Sequence, residues 1–313
     1  MDFHYYTGEE IRLLSECTLC PRECGVNRFG GGTGYCKSDA GMNVASICIH
    51  RGEEPAISGP EGICNIFFSG CNLRCIYCQN YEISNPCRRI RIKSPGYDEV
   101  LDRIAALLKG GVKAVGFVSP SHVIPQVKAI IRGLHAKGYR PVTVFNTNGY
   151  DRKSTISSLE GLIDVYLPDL KYIDPNSAEE FSGAPDYPET AMNAIREMYF
   201  QKGSVLITDS EGRAENGLIV RHLVLPGHAD DSMELLERLA RDVSRGIHIS
   251  LMSQYHPVPA VRHHPDLGRS LYASEYSAVA KYAGELGFRN GWFQGLESHG
   301  NYRPDFSREH PFE

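Results

Sequence analysis

Six short apolar runs, separated by stretches whose apolar residues recur at helical spacing, leave this chain few architectures. The runs are 65–70, 114–119, 142–146, 164–169, 219–225 and 247–252. Between them Leu101, Ile104 and Leu108 share a helix face, as do Val127, Ile130, Ile131 and Leu134, then Ile195 and Met198, then Met233, Leu236, Leu239 and Val243. Such alternation predicts repeated βαβ units around a parallel sheet. We expect an α/β fold, a partial (β/α)6 TIM-like barrel with an N-terminal Cys-rich module. Ser94 before Pro95 predicts a helix start, and Gly110, Gly138 and Gly203 predict helix ends.

A parallel barrel places its chemistry at the C-terminal ends of its strands. There the chain carries Cys71 after the first run, Ser121 and His122 after the second, and Thr147 and Asn148 after the third. Asp169 and Lys171 close the fourth, and Gln254 and His256 follow the last. Residues 1–60 are rich in Cys, Gly and Arg and lack long apolar periodicity, which predicts a small module built around a metal. The expected segments are that module at 1–60, the barrel at 61–300 and a C-terminal tail at 301–313.

Ten cysteines could mean disulfides or metal ligands, and the rest of the sequence decides between them. Met1 to Glu10 contains no apolar export region, and nowhere do eighteen apolar residues run together. We therefore expect a cytoplasmic chain with thiols or metal ligands. A net charge of −5 without a basic cluster favours neither nucleic acid nor a membrane surface as partner. An apolar content of 42% over 313 residues suffices for a sizeable core.

Cys71, Cys75 and Cys78 form a C-x3-C-x2-C motif just after a predicted strand. Three thiolates can hold three irons of a cubane and leave the fourth iron open to a ligand. The competing reading is a zinc site completed by Cys64 or Cys87. Cys17, Cys20, Cys24 and Cys36 supply four thiols to a second site, which suits zinc or a second iron–sulfur cluster equally by count. Zinc there would pin the module, whereas a cluster could relay electrons. Cys48, Cys64 and Cys87 are read first as buried thiols, with Cys64 also placed as a neighbour of the cluster and Cys87 as a group in substrate chemistry.

The segment Phe67-Phe68-Ser69-Gly70-Cys71-Asn72-Leu73-Arg74-Cys75-Ile76-Tyr77-Cys78-Gln79-Asn80-Tyr81 resembles the cluster loop of radical S-adenosylmethionine (SAM) proteins related to pyruvate formate-lyase activating enzyme. Four further stretches resemble the PflX-type branch of that family: Cys17 to Arg28, Gly52-Glu53-Glu54-Pro55, Tyr166 to Tyr172, and Arg221 to Gly227. The resemblance implies a [4Fe-4S] cluster on Cys71, Cys75 and Cys78, with SAM on the open iron and one-electron cleavage to a 5'-deoxyadenosyl radical. It implies Tyr77 near the adenine, with Asn146, Asn148, Lys171 and His256 on the cofactor side. Where activating enzymes carry Gly-Gly-Glu after the second strand, this chain reads Ser119-Pro120-Ser121-His122; Ser119, Ser121 and His122 are the corresponding candidates for the methionyl ammonium.

The implied activity is hydrogen abstraction from a glycine of a partner protein, fed by a donor such as flavodoxin or ferredoxin. Radical modification of another peptide or a small molecule uses the same parts. A reading from a different class is a non-catalytic iron–sulfur or zinc protein, acting as electron carrier or interaction module.

Overall fold

The computed structural model describes residues 3–85, 94–296, 304–308 and 311–312. Its strands are β1 (Val44–His50), β2 (Ile63–Phe68), β3 (Ala114–Val118), β4 (Val142–Thr147), β5 (Val165–Pro168), β6 (Ile207–Thr208), β7 (Ala214–Leu223), β8 (His248–Met252) and β9 (Asn290–Phe293). They form one sheet in the order β1-β2-β3-β4-β5-β7-β8-β9, with β6 hairpinned onto β7. From β2 to β9 every pair on this path is parallel, and β1 runs antiparallel to β2. Among the described residues β9 does not pair with β1, so the barrel is partial and open on one side.

All six expected runs are strands, and three further strands join them. β1 and β9 extend the series at its two edges. β7 begins earlier than its apolar run because its first residues pair with β6. The six expected runs lie side by side in chain order, with β6 alone intervening between β5 and β7.

The helices Tyr97–Lys109, Ile124–Ala136, Tyr187–Lys202 and Ala229–Asp242 occupy the expected stretches. Val100, Leu101, Ile104 and Ala105 form the buried face of the first, and Leu235, Leu236 and Leu239 part of that of the last. The expected start at Ser94 is corrected: this helix begins at Tyr97 with Gly96 as its N-cap. The Ser94 hydroxyl instead accepts the backbone N–H of Val44 at 3.0 Å, tying the segment to β1. Helix Ala273–Leu286 was not foreseen, although Tyr276, Val279 and Ala283 bury one face of it.

The front of the chain packs onto the barrel rather than away from it. Leu14 and Leu19 belong to the same buried cluster as Val127 and Ile130. Arg132 pairs with Glu10 at 2.7 Å, Arg152 donates to the carbonyl of Thr18, and Thr155 donates to that of Leu19. At the other end, Phe306 and Phe312 lie against Phe67, with ring centroids 5.3 and 5.6 Å away. Cys87 lies outside the described residues.

Candidate active site

β2 ends beneath the cysteine triplet, and one glycine makes the turn. Gly70 has φ +82°, and a Cβ there would stand 2.3 Å from the carbonyl oxygen of Cys36. Both the backbone twist and the approach exclude a side chain. Gly70→Ala is expected to cost about 2 kcal/mol or more of stability and to unseat the loop; a urea melt within 0.5 kcal/mol of the parent would refute this, roughly the effect of a neutral surface change.

The loop is then clasped from two sides. Asn72 donates to the carbonyl of Tyr150 at 2.7 Å and accepts from Asn148 at 2.8 Å. The backbone N–H groups of Arg74 and Ile76 donate to the carbonyls of Ser182 and Phe181. Each sulfur of the triplet is met by polar hydrogens: Cys71 Sγ by Leu73 N–H and Asn148 Nδ2 (3.4 and 3.3 Å), Cys75 Sγ by Ser182 Oγ (2.9 Å), and Cys78 Sγ by Ser84 Oγ (3.3 Å). The Ser182 hydroxyl also meets Tyr172, which meets Tyr77 at 2.6 Å, so hydroxyls connect Tyr77 to Cys75.

This donor set suits thiolates. Burial, reinforced by Cys75, pushes the Cys71 thiol up to about 12 and the Cys78 thiol up to about 11. Isolated thiols here resist ionisation, whereas iron bound to them would supply the missing positive charge. The three side chains therefore fit a cluster, with hydrogen bonds ready for its anionic sulfurs. Among the described residues, no three His, Cys, Asp or Glu side chains converge tightly enough for a single metal ion. Cys64, the proposed fourth zinc ligand, sits at the far end of β2 with Cys48 as its neighbour.

A cleft of about 210 Å³ opens beside the triplet, lined by Cys71, Cys75, Cys78, Tyr77, Ser119, Asn146, Asn148 and Lys171. Ser119 takes a left-handed backbone (φ 49°), a strain that often marks functional positions. Lys171 pairs with Asp169 at 2.6 Å. Burial opposes the lysine's charge, but Asp169 and the nearby thiols outweigh it and raise Lys171 above its ordinary value.

The opposite wall was missed by sequence reasoning. Arg221 Nη1 stands 3.1 Å from Glu53 and its Nε 3.2 Å from Glu54. Glu53 also accepts from Asn65 at 3.0 Å and Asn146 at 3.3 Å. Glu54, Glu53 and Asp169 together overcome the burial of Arg221 and hold it firmly charged. Adjacent carboxylates ahead of Pro55, with an arginine inside a long apolar strand, are the signal that could have found this wall.

Ser121 and His122 are not in the cleft lining. Both are fully buried. The Ser121 hydroxyl meets Thr147 at 3.0 Å, and His122 Nε2 donates to the carbonyl of Ser69 at 3.1 Å. They brace the loops behind the cysteines. His256 lines a neighbouring pocket with Gln79 and Tyr81, while Gln254 lines the main cleft.

Burial pulls two imidazoles, His122 and His222, down from 6.5 to about 4. A depressed base stabilises the fold fully above its unfolded value and loses that contribution as pH falls through the folded one. We expect stability to drop between pH 6.5 and 4 by on the order of 3 kcal/mol per histidine. Urea melts across that range should show it, with a shallower slope for His222→Gln; equal slopes would count against this assignment.

At the front, burial pushes the Cys20 thiol up to about 12, and Cys36, Cys17 and Cys24 lie near enough to add to the rise. No disulfide occurs among the described residues.

The model of the family described as the radical SAM superfamily matches residues 65–240, more than half of the chain. An uncharacterised protein of Methanocaldococcus jannaschii is 26% identical over 275 residues, covering 87% of this chain and 75% of that one. The pyruvate formate-lyase-activating enzyme of Staphylococcus aureus is 25% identical over 195 residues, covering 58% and 69%. Solved structures with similar folds include anSMEcpe with bound AdoMet (TM-score 0.47, 15% identity, 76% of this chain and 62% of that one). Another is Streptococcus suis SuiB bound to precursor peptide SuiA (TM-score 0.45, 16% identity, 69% and 43%). The chain thus spans about half the length of these solved structures.

Proposed function

Because the chain belongs to the radical SAM superfamily, and is an enzyme by that membership, we propose that Cys71, Cys75 and Cys78 ligate a [4Fe-4S] cluster and that its target is a glycine of a partner protein. When bound, the cluster and SAM supply one-electron cleavage of the sulfonium to a 5'-deoxyadenosyl radical. The observation that carries this reading is the triplet at the end of β2, each sulfur met by a hydrogen-bond donor, opening onto a cleft with paired charges.

The cleft is suited to an amino acid zwitterion. Lys171 is positioned to donate to the methionyl carboxylate, while Glu53 and Asp169 offer fixed negative charge to the ammonium. Glu53 supplies an anionic group on the same cleft as Ser119, where activating enzymes use Gly-Gly-Glu. Asn146 and Asn148 add neutral hydrogen bonds, and Tyr77 closes the cleft beside the cysteines.

The open side of the sheet supports a macromolecular target, since a closed barrel would not admit a peptide loop. The similarity to an activating enzyme supports glycine as the site of abstraction. A one-electron donor such as flavodoxin or ferredoxin would reduce the cluster. Among the described residues no helix is long and apolar enough to cross a membrane.

The test is anaerobic. Reconstituted, reduced protein should change its cluster spectrum on adding SAM and release 5'-deoxyadenosine; with a glycyl-radical partner, an organic radical should appear on that partner. An intact reduced cluster whose spectrum ignores SAM would instead support an electron carrier.

A further inference from the structure

Cys36, the last of the front cysteines, lies directly against the loop that carries Cys71. Cys17, Cys20 and Cys36 are buried, whereas Cys24 is half-buried between exposed Glu23 and Gly25. The backbone N–H of Tyr35 donates to Cys24 Sγ at 3.3 Å, and Arg28 Nη2 donates to Cys36 Sγ at 3.4 Å. Arg28 is only 3% exposed, and its charge faces Cys36, Cys17 and Cys20. A buried guanidinium needs an anion beside it. Four neutral thiols supply none, but a metal centre with thiolate ligands carries net negative charge.

The surroundings favour a redox centre over a structural ion. The module is already fastened without metal: Arg22 donates to the carbonyls of Asn72 and Gly183, Arg28 to that of His122, and Ser38 to that of Ser69. Its inner edge also touches the catalytic loop, since the Cys36 carbonyl fills the space a Gly70 side chain would need. The Tyr35 ring lies between Arg22 and Arg74, at 3.9 and 4.0 Å, and faces Cys71 and Cys75. One edge therefore reaches solvent at Cys24 and the other reaches the cysteine triplet.

We propose that Cys17, Cys20, Cys24 and Cys36 hold a second iron–sulfur cluster, which passes single electrons to the one at Cys71, Cys75 and Cys78. A low-potential one-electron donor protein reduces the front cluster by one electron at its Cys24 edge. That electron moves on to the second cluster, the front cluster returns to its oxidised state, and no proton or atom is transferred. The inference rests on the reading of the Cys71 site only for its electron acceptor.

The experiment uses the full chain with Cys71→Ala, Cys75→Ala and Cys78→Ala together, reconstituted anaerobically with iron, sulfide and equimolar zinc. The expected result is about four irons and four sulfides per chain with a paramagnetic reduced state, against about eight irons in the parent. In the reduced parent, the two signals should broaden each other through spin coupling. Zinc or no metal at the front, with about four irons in the parent, would overturn the proposal. Two clusters with uncoupled signals would overturn the relay. If the triple variant holds its cluster while the parent binds no SAM, the reading of the Cys71 site fails and the front cluster stands.

Discussion

Cys71→Ala, Cys75→Ala and Cys78→Ala, each made alone, are expected to lower 5'-deoxyadenosine formation by at least about a thousandfold. Each removes one of three ligands, and two thiolates do not retain a cubane with one open iron. The fold should survive, because all three cysteines are half-buried at the cleft and truncation at such positions costs only about 1 kcal/mol. Loss of product with near-parent melting would separate lost chemistry from lost structure. A single variant that keeps more than about a tenth of the parent rate, or roughly 1.4 kcal/mol of barrier, would remove that cysteine from the ligand set.

Arg221→Met should instead strike the fold. Its side chain is 12% exposed, and the carboxylates of Glu53 and Glu54 that face it are 8% and 5% exposed. Removing one member of a buried ionic group leaves uncompensated charge and costs about 3–5 kcal/mol. Here the methionine would leave Glu53, Glu54 and Asp169 repelling one another. The combination Arg221→Met, Glu53→Gln and Glu54→Gln should recover more than half of the loss, because the orphaned charges go with the cation. Urea unfolding of the two chains settles it: equal stabilities would mean that the arginine matters for packing alone.

The parallel series and the triplet were legible because each rests on a local pattern. Apolar runs bracketed by turn residues gave the inner strands, and thiol spacing on a strand end gave the candidate ligands. β9 was not read because Asn290-Gly291-Trp292-Phe293 is short, glycine-bearing and largely exposed, so no apolar run announces it. β1 was hidden by its setting, an apolar stretch inside a segment that looked irregular. The Arg221 wall was illegible for a different reason: Glu53 and Arg221 lie far apart in the chain, and only the tertiary fold brings them together. Ser121 and His122 stood at a strand end as ligands of the cofactor's ammonium would, yet both turn inward to brace neighbouring loops. Position relative to a strand indicates which residues gather, but not which way each side chain points.

Strand order along the sheet follows chain order, with one hairpin aside. A chain leaving the ribosome can therefore lay most strands against the one made just before it, with few long loops to close. The front loop cannot do this. Its partners at His122, Arg152, Thr155 and Gly183 are synthesised long after it. Cys17, Cys20, Cys24 and Cys36 thus emerge well before the residues that enclose them, which leaves their thiols open to oxidation throughout translation of the barrel's first half.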